Sequence, residues 1–301
     1  MKRALLLLAI FSLFSGFIFA TFTYVGQFNG IGSATEYKIM RQPSDVWVDG
    51  STIYVTDSKN HELRLIDKVS FANLRRLGGA RGDGANTFDS PNGVSVSATS
   101  VYVADTQNNK IKVLTKPDLS IDFQLGVTST SQSVQGLASP SAAMEYKGLI
   151  YVADTNEDRV NIFNKSTKLH ESMLGTATGP SFGDYSFNVV SDVWVDDSGL
   201  YVVDQYNNRV QKYSLSNFTY MGTFGSGYGG INLYAPTGIC VSGDYVFVTD
   251  TGNNRLVVFQ QDFKPIEVFG GQGNATIFSI HPGEFSMTAR ASMLQTQTTC
   301  A

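Results

Sequence analysis

The stretch Val246-Phe247-Val248-Thr249-Asp250-Thr251-Gly252-Asn253-Asn254-Arg255-Leu256-Val257-Val258-Phe259 reads as strand, tight turn, strand. Its flanks are β-branched and aromatic, and its middle is turn chemistry. Related segments place turn aspartates at Asp57, Asp105, Asp154, Asp204 and Asp250, separated by 48, 49, 50 and 46 residues. Each follows an apolar strand such as Val101-Tyr102-Val103 and precedes a second one such as Lys110-Ile111-Lys112-Val113. A self-similarity this regular points to a repeat architecture.

Two further strands complete each copy. Upstream, an inner strand starts at Pro43, Pro91, Pro140, Val190, Pro236 and, for a sixth copy, Pro282. Downstream, a last strand ends in glycine at Gly78, Gly126, Gly175, Gly225 and Gly270. Four strands at this spacing predict the blades of an all-β propeller. Met40, Phe88, Leu137, Phe187 and Leu233, three places before the first five starts, are read as plugs between blades. The segment Phe22–Phe28 matches Phe218–Phe224, the end of the fourth copy, and so predicts an outer strand that closes the ring. Pro282–Met287 supplies a sixth inner strand without a following Tyr-Val-x-Asp turn. The sequence therefore predicts a six-bladed arrangement with an incomplete or degenerate sixth blade closed by the N-terminal strand.

The ends of the chain read differently from the repeats. Lys2 and Arg3 precede a largely apolar run to Phe19, and Ala20 is a suitable residue before a cut, so residues 1–20 are expected to be a signal peptide or a signal anchor. Residues 21–287 are assigned to the propeller and 288–301 to a polar tail. This reading predicts a secreted, extracellular protein, or one tethered to a membrane through its N-terminal segment alone. Charged residues are only 16% of the 301. Loss of residues 1–20, with their two basic and no acidic side chains, moves the formal charge from −4 to −6, which argues against a nucleic-acid partner. Two cysteines, Cys240 and Cys300, do not indicate a disulfide framework.

Pro-x-Gly-Val-x-Val, Tyr-Val-x-Asp-Thr-x-Asn-Asn-Arg-Ile and a terminal Phe-Gly resemble NHL repeats, over roughly residues 22 to 287. The resemblance implies a β-propeller, typically of six blades, used for binding as often as for catalysis; fold transfers from it better than function. The NHL-like amidating lyases bind zinc through histidines, some directly after the proline that opens an inner strand. Here those places hold Ser44, Asn92, Ser141, Ser191, Thr237 and Gly283, and His61, His170 and His281 are scattered elsewhere. A lyase-type zinc centre is not expected, and no nucleophile elbow, phosphate loop or metalloprotease helix occurs.

The aspartates Asp57, Asp105, Asp154, Asp204 and Asp250 are read as turn fasteners, each carboxylate accepting backbone N–H groups and facing the Arg or Lys five residues on, with Arg159, Arg209 and Arg255 in the same role. One asymmetry stands apart: the hexapeptide Ser-Asp-Val-Trp-Val-Asp occurs at 44–49 and at 191–196. It places Asp45 and Asp192 near the mouth of the channel in copies that would face each other, where two carboxylates could hold a cation such as Ca²⁺; the preferred reading is that both are solvated or hydrogen-bond neighbouring loops, with Trp47 and Trp194 as core. Arg81-Gly82-Asp83 and the basic run from Arg64 to Arg81 are read as turn and edge chemistry.

The leading functional expectation is a binding module for a protein, peptide or glycan, engaged through the loops between blades, with Tyr185, Tyr228 and Tyr234 as contact aromatics. No catalytic residue and no cofactor is predicted. The alternative is a metal-dependent enzyme, amidating-lyase-like or lactonase-like, with its chemistry at the central channel.

Overall fold

A computed structural model of the chain describes residues 4–14, 17–27, 40–126, 136–175, 181–225, 230–271, 287–292 and 295–300. Two strands, β1 (Ala4–Phe14) and β2 (Phe17–Gln27), precede the repeats. The first blade holds β3 (Pro43–Asp49), β4 (Thr52–Asp57), β5 (Glu62–Asp67) and β6 (Asn73–Gly78), and the second β7 (Val94–Val96), β8 (Ser100–Asp105), β9 (Lys110–Thr115) and β10 (Ile121–Leu125). The third comprises β11 (Ala142–Tyr146), β12 (Leu149–Asp154), β13 (Arg159–Asn164) and β14 (His170–Leu174). The fourth follows with β15 (Val190–Asp196), β16 (Gly199–Asp204), β17 (Arg209–Tyr213) and β18 (Tyr220–Phe224). The fifth has β19 (Gly238–Ser242), β20 (Tyr245–Asp250), β21 (Arg255–Gln260) and β22 (Pro265–Gly270), and the last strands are β23 (Met287–Ser292) and β24 (Gln295–Cys300).

Each blade is a four-stranded antiparallel sheet in sequence order. The innermost strands of consecutive blades lie side by side, β3 by β7, β7 by β11, β11 by β15 and β15 by β19, around a common axis. Second strands such as Val101-Tyr102-Val103 are buried on both faces, because they sit inside a sheet that is itself sandwiched between neighbours. Outer strands such as β6 keep a half-exposed pattern.

The core lies between blades. Leu63 and Leu77 of the first pack with Val94 and Val103 of the second, and Phe88 completes the cluster. Leu137, Phe187 and Leu233 occupy the equivalent seams, and all four residues are buried. Met40 packs with Val46, Ile53 and Ile66 on the other face of the first blade. The plugs therefore sit where the spacing put them.

The repeat builds five blades, not six. A further four-stranded sheet, in the order β2-β1-β23-β24, draws two strands from each end of the chain, and its β24 lies against both β3 and β19. Its outermost strand is β2, which includes the N-terminal stretch expected to close the ring, while its other strands differ from the single inner strand expected after Pro282. Ala4–Phe14, within the expected export signal, and Gln295–Cys300, within the expected polar tail, are strands of it. The reason is compositional: an apolar run rich in Phe, Leu and Ile suits a strand as well as a leader, and Gln295-Thr-Gln-Thr-Thr supplies β-branched residues without the repeat's turn. Residues 282–286, assigned to a sixth inner strand, lie outside the described residues. Cys240 in β19 is disulfide-bonded, a single bond rather than a framework.

Candidate functional site: the turn face and the channel

Each second strand ends at an aspartate that is fully buried and followed by one short turn. The carboxylates of Asp105, Asp154, Asp204 and Asp250 accept the backbone N–H of Asp89 at 2.7 Å, Ala138 at 2.6 Å, Asn188 at 2.7 Å and Tyr234 at 2.6 Å, so each aspartate holds the loop that leads into its own blade. Asp57 takes Gln42 and Arg41 in the same way. The amide three residues on adds a second bond from Asn60, Asn108, Asn207 and Asn253.

The cation partner is less uniform than the sequence pattern suggests. Arg159, Arg209 and Arg255 reach the aspartate five residues before them at 2.8, 2.8 and 2.6 Å. In the second blade Lys112, seven residues on, pairs with Asp105 at 2.8 Å, and Lys110 turns outward to Asp83. In the first blade the fifth position is Glu62, itself buried and paired with Arg64 and Arg76. The rule of a cation five residues on thus holds in three blades and fails in two: Lys112 takes over the charge in the second, and Glu62 reverses it in the first. Burial pushes Asp154 up to about 6, and it raises Asp204 as well, against the hydrogen bonds and guanidinium that favour the anion.

The residue that closes each turn joins one blade to the next. His61, Asn109, Asp158 and Asn208 all adopt left-handed backbone, with φ of 54°, 56°, 51° and 57°. Their side chains accept the backbone N–H of Ser90, Ser139, Val189 and Ala235 at 3.0, 2.8, 2.6 and 2.8 Å. Each acceptor therefore grips the loop entering the following blade. His61 does with its Nδ1 what Asn109 does with an amide oxygen. His170 contacts Asn161 through Nε2 at 3.1 Å and packs edge-on to Phe163; burial and Arg159 lower its pKa. His281 lies outside the described residues. Among the described residues no three His, Cys, Asp or Glu side chains converge.

Asp45 and Asp192 have equivalent surroundings. One oxygen of each accepts the next N–H along its own strand, from Val46 at 2.7 Å and Val193 at 2.8 Å. The other accepts an N–H from the innermost strand of the next blade, Val94 at 2.7 Å and Ile239 at 3.0 Å. What meets across the axis is the tryptophan of each hexapeptide: the rings of Trp47 and Trp194 stack at 5.8 Å with an interplanar angle of 19°. Trp194 donates Nε1 to Asp196 at 3.0 Å, and Met144 packs alongside. At this level the channel is spanned by indoles.

On the turn face, large exposed side chains gather around the fourth blade. Phe182 is 72% exposed and lies 4.3 Å from the Arg209 guanidinium, Tyr206 is 62% exposed on the turn itself, and Tyr234 is 59% exposed in the loop entering the fifth blade. Backbone and amide contacts hold the three loops together: Asn207 donates to the Ser181 carbonyl at 2.8 Å, and Asn208 accepts from Ala235. Gly252 donates to the Tyr234 carbonyl at 2.8 Å, and a Cβ at Gly252 would come within 2.3 Å of the Tyr234 ring. Of the aromatics named from sequence, Tyr234 belongs to this group. Tyr185 is half exposed, but its hydroxyl accepts the Tyr220 N–H and its ring leans on Tyr213. Tyr228 lies outside the described residues. Phe182 and Tyr206 were not singled out by sequence, although Tyr206 stands where the other turns carry Lys59, Gln107, Asn156 and Gly252.

The Arg81-Gly82-Asp83 loop is tied down by Arg81 to Asp89 and Lys110 to Asp83, both at 2.7 Å. The basic run is likewise partly neutralised, since Arg64 and Arg76 share Glu62.

The NHL repeat family model matches residues 233–259, which span the fifth turn and its two flanking strands. No curated protein sequence matches the chain. Among solved structures, a chain from "Crystal structure of Nidogen/Laminin Complex" is similar, with a TM-score of 0.59 and 15% identity over 89% of this chain and 93% of that one. Five copies of the repeat, each folded as a blade, make this chain a β-propeller, and its fifth copy matches the NHL repeat.

Proposed function

We propose that this propeller is a protein-binding module whose contact surface is the turn face over the fourth blade. The observation that carries this reading is the group formed by Phe182, Tyr206 and Tyr234, three exposed aromatics on loops fixed to one another. Large aromatics with an arginine beneath them are the side chains that concentrate binding energy at protein interfaces. The blades underneath are rigid, so the loops are pre-ordered and little entropy is lost on docking. A fold neighbour captured in a complex with another protein supports the same use of the scaffold. Peptide and glycan ligands fit the surface chemistry less well, because the three rings lie on separate loops and present a broad patch.

The same reading includes export, with the terminal sheet acting as the ring's sixth blade. Cleavage after Ala20 would remove β1, the strand between β2 and β23, so a mature sixth blade would have to pair the residues from 21 onward directly with β23. Intact mass and N-terminal sequencing of protein recovered from the medium decide this: a start at Thr21 is expected, and a start at Met1 in cell-associated material overturns cleavage. No resident metal or catalytic group enters this reading.

The binding face is tested by placing a photo-crosslinking residue at Tyr206 and, as a control at the opposite end of the blades, at Leu169, which is also exposed. A partner protein linked from 206 but not from 169 is expected. Its affinity for the Tyr206→Ser, Tyr234→Ser double variant should fall at least about thirtyfold, in line with hot-spot losses of roughly 2 kcal/mol. Equal crosslinking from both positions, or unchanged affinity, would move the surface elsewhere.

A further inference from the structure

The third and fourth strands of each repeat blade are joined by a short turn at the end of the blade away from the buried aspartates. One residue of each turn, Phe71, Leu119, Lys168, Phe218 or Phe263, takes left-handed backbone. The residue before it is Ser70, Asp118, Thr167, Asn217 or Asp262, and its side-chain oxygen knits the turn. Ser70, Thr167, Asn217 and Asp262 accept the N–H two residues on, at 3.3, 3.4, 3.1 and 3.2 Å, and Asp118 accepts the hydroxyls of Thr115 and Ser120. The turn therefore needs an oxygen at this place, and Asn217 is the member of the series that brings a nitrogen with it. Its Oδ1 also accepts Ser214 Oγ at 2.5 Å and Thr219 Oγ1 at 2.7 Å, which fixes which way the amide points. Its Nδ2 has no hydrogen-bond partner among the described residues. Asn217 and Thr219 are both exposed, and Asn217-Phe218-Thr219 is an acceptor pattern for N-linked sugar. We propose that Asn217 carries an N-linked glycan, at the end of the propeller opposite the partner-binding face.

A second copy of the pattern, Asn164-Lys165-Ser166, shows what an unsuitable acceptor looks like in the same fold. Asn164 is half-buried at the end of β13. Its Oδ1 accepts the N–H of Ser166 and Thr167 at 2.9 and 3.0 Å, and its Nδ2 donates to Glu171 at 2.8 Å. Lys165 beside it reaches Glu145 and Thr99. A sugar there would be built on a nitrogen already engaged, among side chains already paired. The third copy, at 274–276, lies outside the described residues. At Asn217 the sugar meets solvent. β17 is five residues long, so about 17 Å of strand separates the two ends of the blade, and the glycan stands clear of Tyr206 and Tyr234. A bulky hydrated chain at this end hinders docking there and leaves the turn face open to a partner.

The reaction is a glycosyl transfer from a lipid-linked sugar diphosphate, made by a transferase of the export pathway. Asn217 Nδ2 attacks the anomeric carbon of the sugar, and a carbon–nitrogen bond forms. The bond from that carbon to the diphosphate oxygen breaks, and the diphosphate leaves with the electron pair. One amide proton passes to a base of the transferase, and nothing is oxidised or reduced. The product keeps Oδ1, so the bonds that knit the turn survive the modification. The proposal rests on the export reading, because the transferase meets only chains that leave the cytosol.

The test is peptide mapping of the full-length protein, expressed with its own N-terminal segment in a eukaryotic cell line and collected from the medium. The Asn217 peptide is expected to carry a sugar chain that a glycan-releasing amidase removes, leaving an aspartate at position 217 labelled from heavy-oxygen water. Asn217→Asp keeps a turn oxygen, as Asp118 and Asp262 do in their blades, and should fold and lose the modification. Thr219→Ala removes the hydroxyl of the acceptor pattern, keeps the backbone N–H bond to residue 217, and should lose it too. Asn164→Asp should leave the sugar at 217 unchanged. A bare Asn217 peptide from secreted protein overturns the proposal while export stands, and sugar at Asn164 in place of Asn217 overturns it as well. Protein that stays inside the cells without sugar at 217 overturns the export reading and this proposal together.

Discussion

At the scale of single residues, the side chains that look most like a site are mostly fasteners. His61 shows this most directly, because its Nδ1 stands in a series with the side-chain oxygens of Asn109, Asp158 and Asn208, all on left-handed backbone and all holding the following blade. His61→Asn is therefore expected to melt within about 0.5 kcal/mol of the wild type, or above it, since Asn tolerates that backbone better. His61→Ala should lose about 1–2 kcal/mol by leaving the Ser90 N–H without its acceptor. Denaturant unfolding of the pair checks this, and equal loss in both would remove His61 from the series. The channel carboxylates follow the same logic. Asp45→Ala with Asp192→Ala should destabilise by about 2–4 kcal/mol, because four backbone N–H groups lose acceptors. Titration with Ca²⁺ should leave the wild-type Tm unchanged; a calcium-dependent rise abolished in the double variant would favour the cation reading instead.

At the scale of elements, the repeat was legible because each blade restates it: strand boundaries, turn aspartates and plug residues recur five times and need no partner outside their own copy and the next. Phe88, three residues before an inner strand, could be named from spacing alone, and it is fully buried between two blades. Phe88→Ala should cost about 3–5 kcal/mol by scanning calorimetry or denaturant melts, whereas Leu74→Ala, on an exposed outer strand, should cost under about 0.5 kcal/mol. What spacing could not give was the exchange of partners between positions. Lys112 serves Asp105 in place of Lys110, and Glu62 reverses the usual charge, because a long basic side chain can reach the same carboxylate from two places on a strand. Nor could it show that Trp47 and Trp194 meet across the axis, a contact between residues far apart in sequence. The aromatic group was partly visible, through Tyr234, and Tyr206 could have been found by asking where the turn copies differ most.

At the scale of the whole molecule, the ends of the chain were the least legible part, since Ala4–Phe14 and Gln295–Cys300 carry no copy of the repeat from which their sheet could be read. Their sheet answers a need created by the first and fifth blades. Val46, Val48, Ile53, Val55 and Ile66 form a buried cluster on the side of the first blade away from the second, with no member from another repeat blade. Glu267 occupies the corresponding side of the fifth blade, 8% exposed, and its Oε1 has no hydrogen-bond partner among the described residues. Burial pushes this carboxyl up to about 7 from its ordinary value of 4.5. Because the folded state holds the proton more tightly than the unfolded one, the associated stability is complete below about pH 4.5 and is lost as pH rises through about 7. Glu267→Gln keeps the shape and removes the charge. It should match the wild type at pH 4 and exceed it by about 1–3 kcal/mol at pH 8, with the divergence centred between those limits. Parallel urea melts across pH 4–8 measure the difference, and a constant offset between the two proteins would mean that Glu267 does not sit in a closed seam.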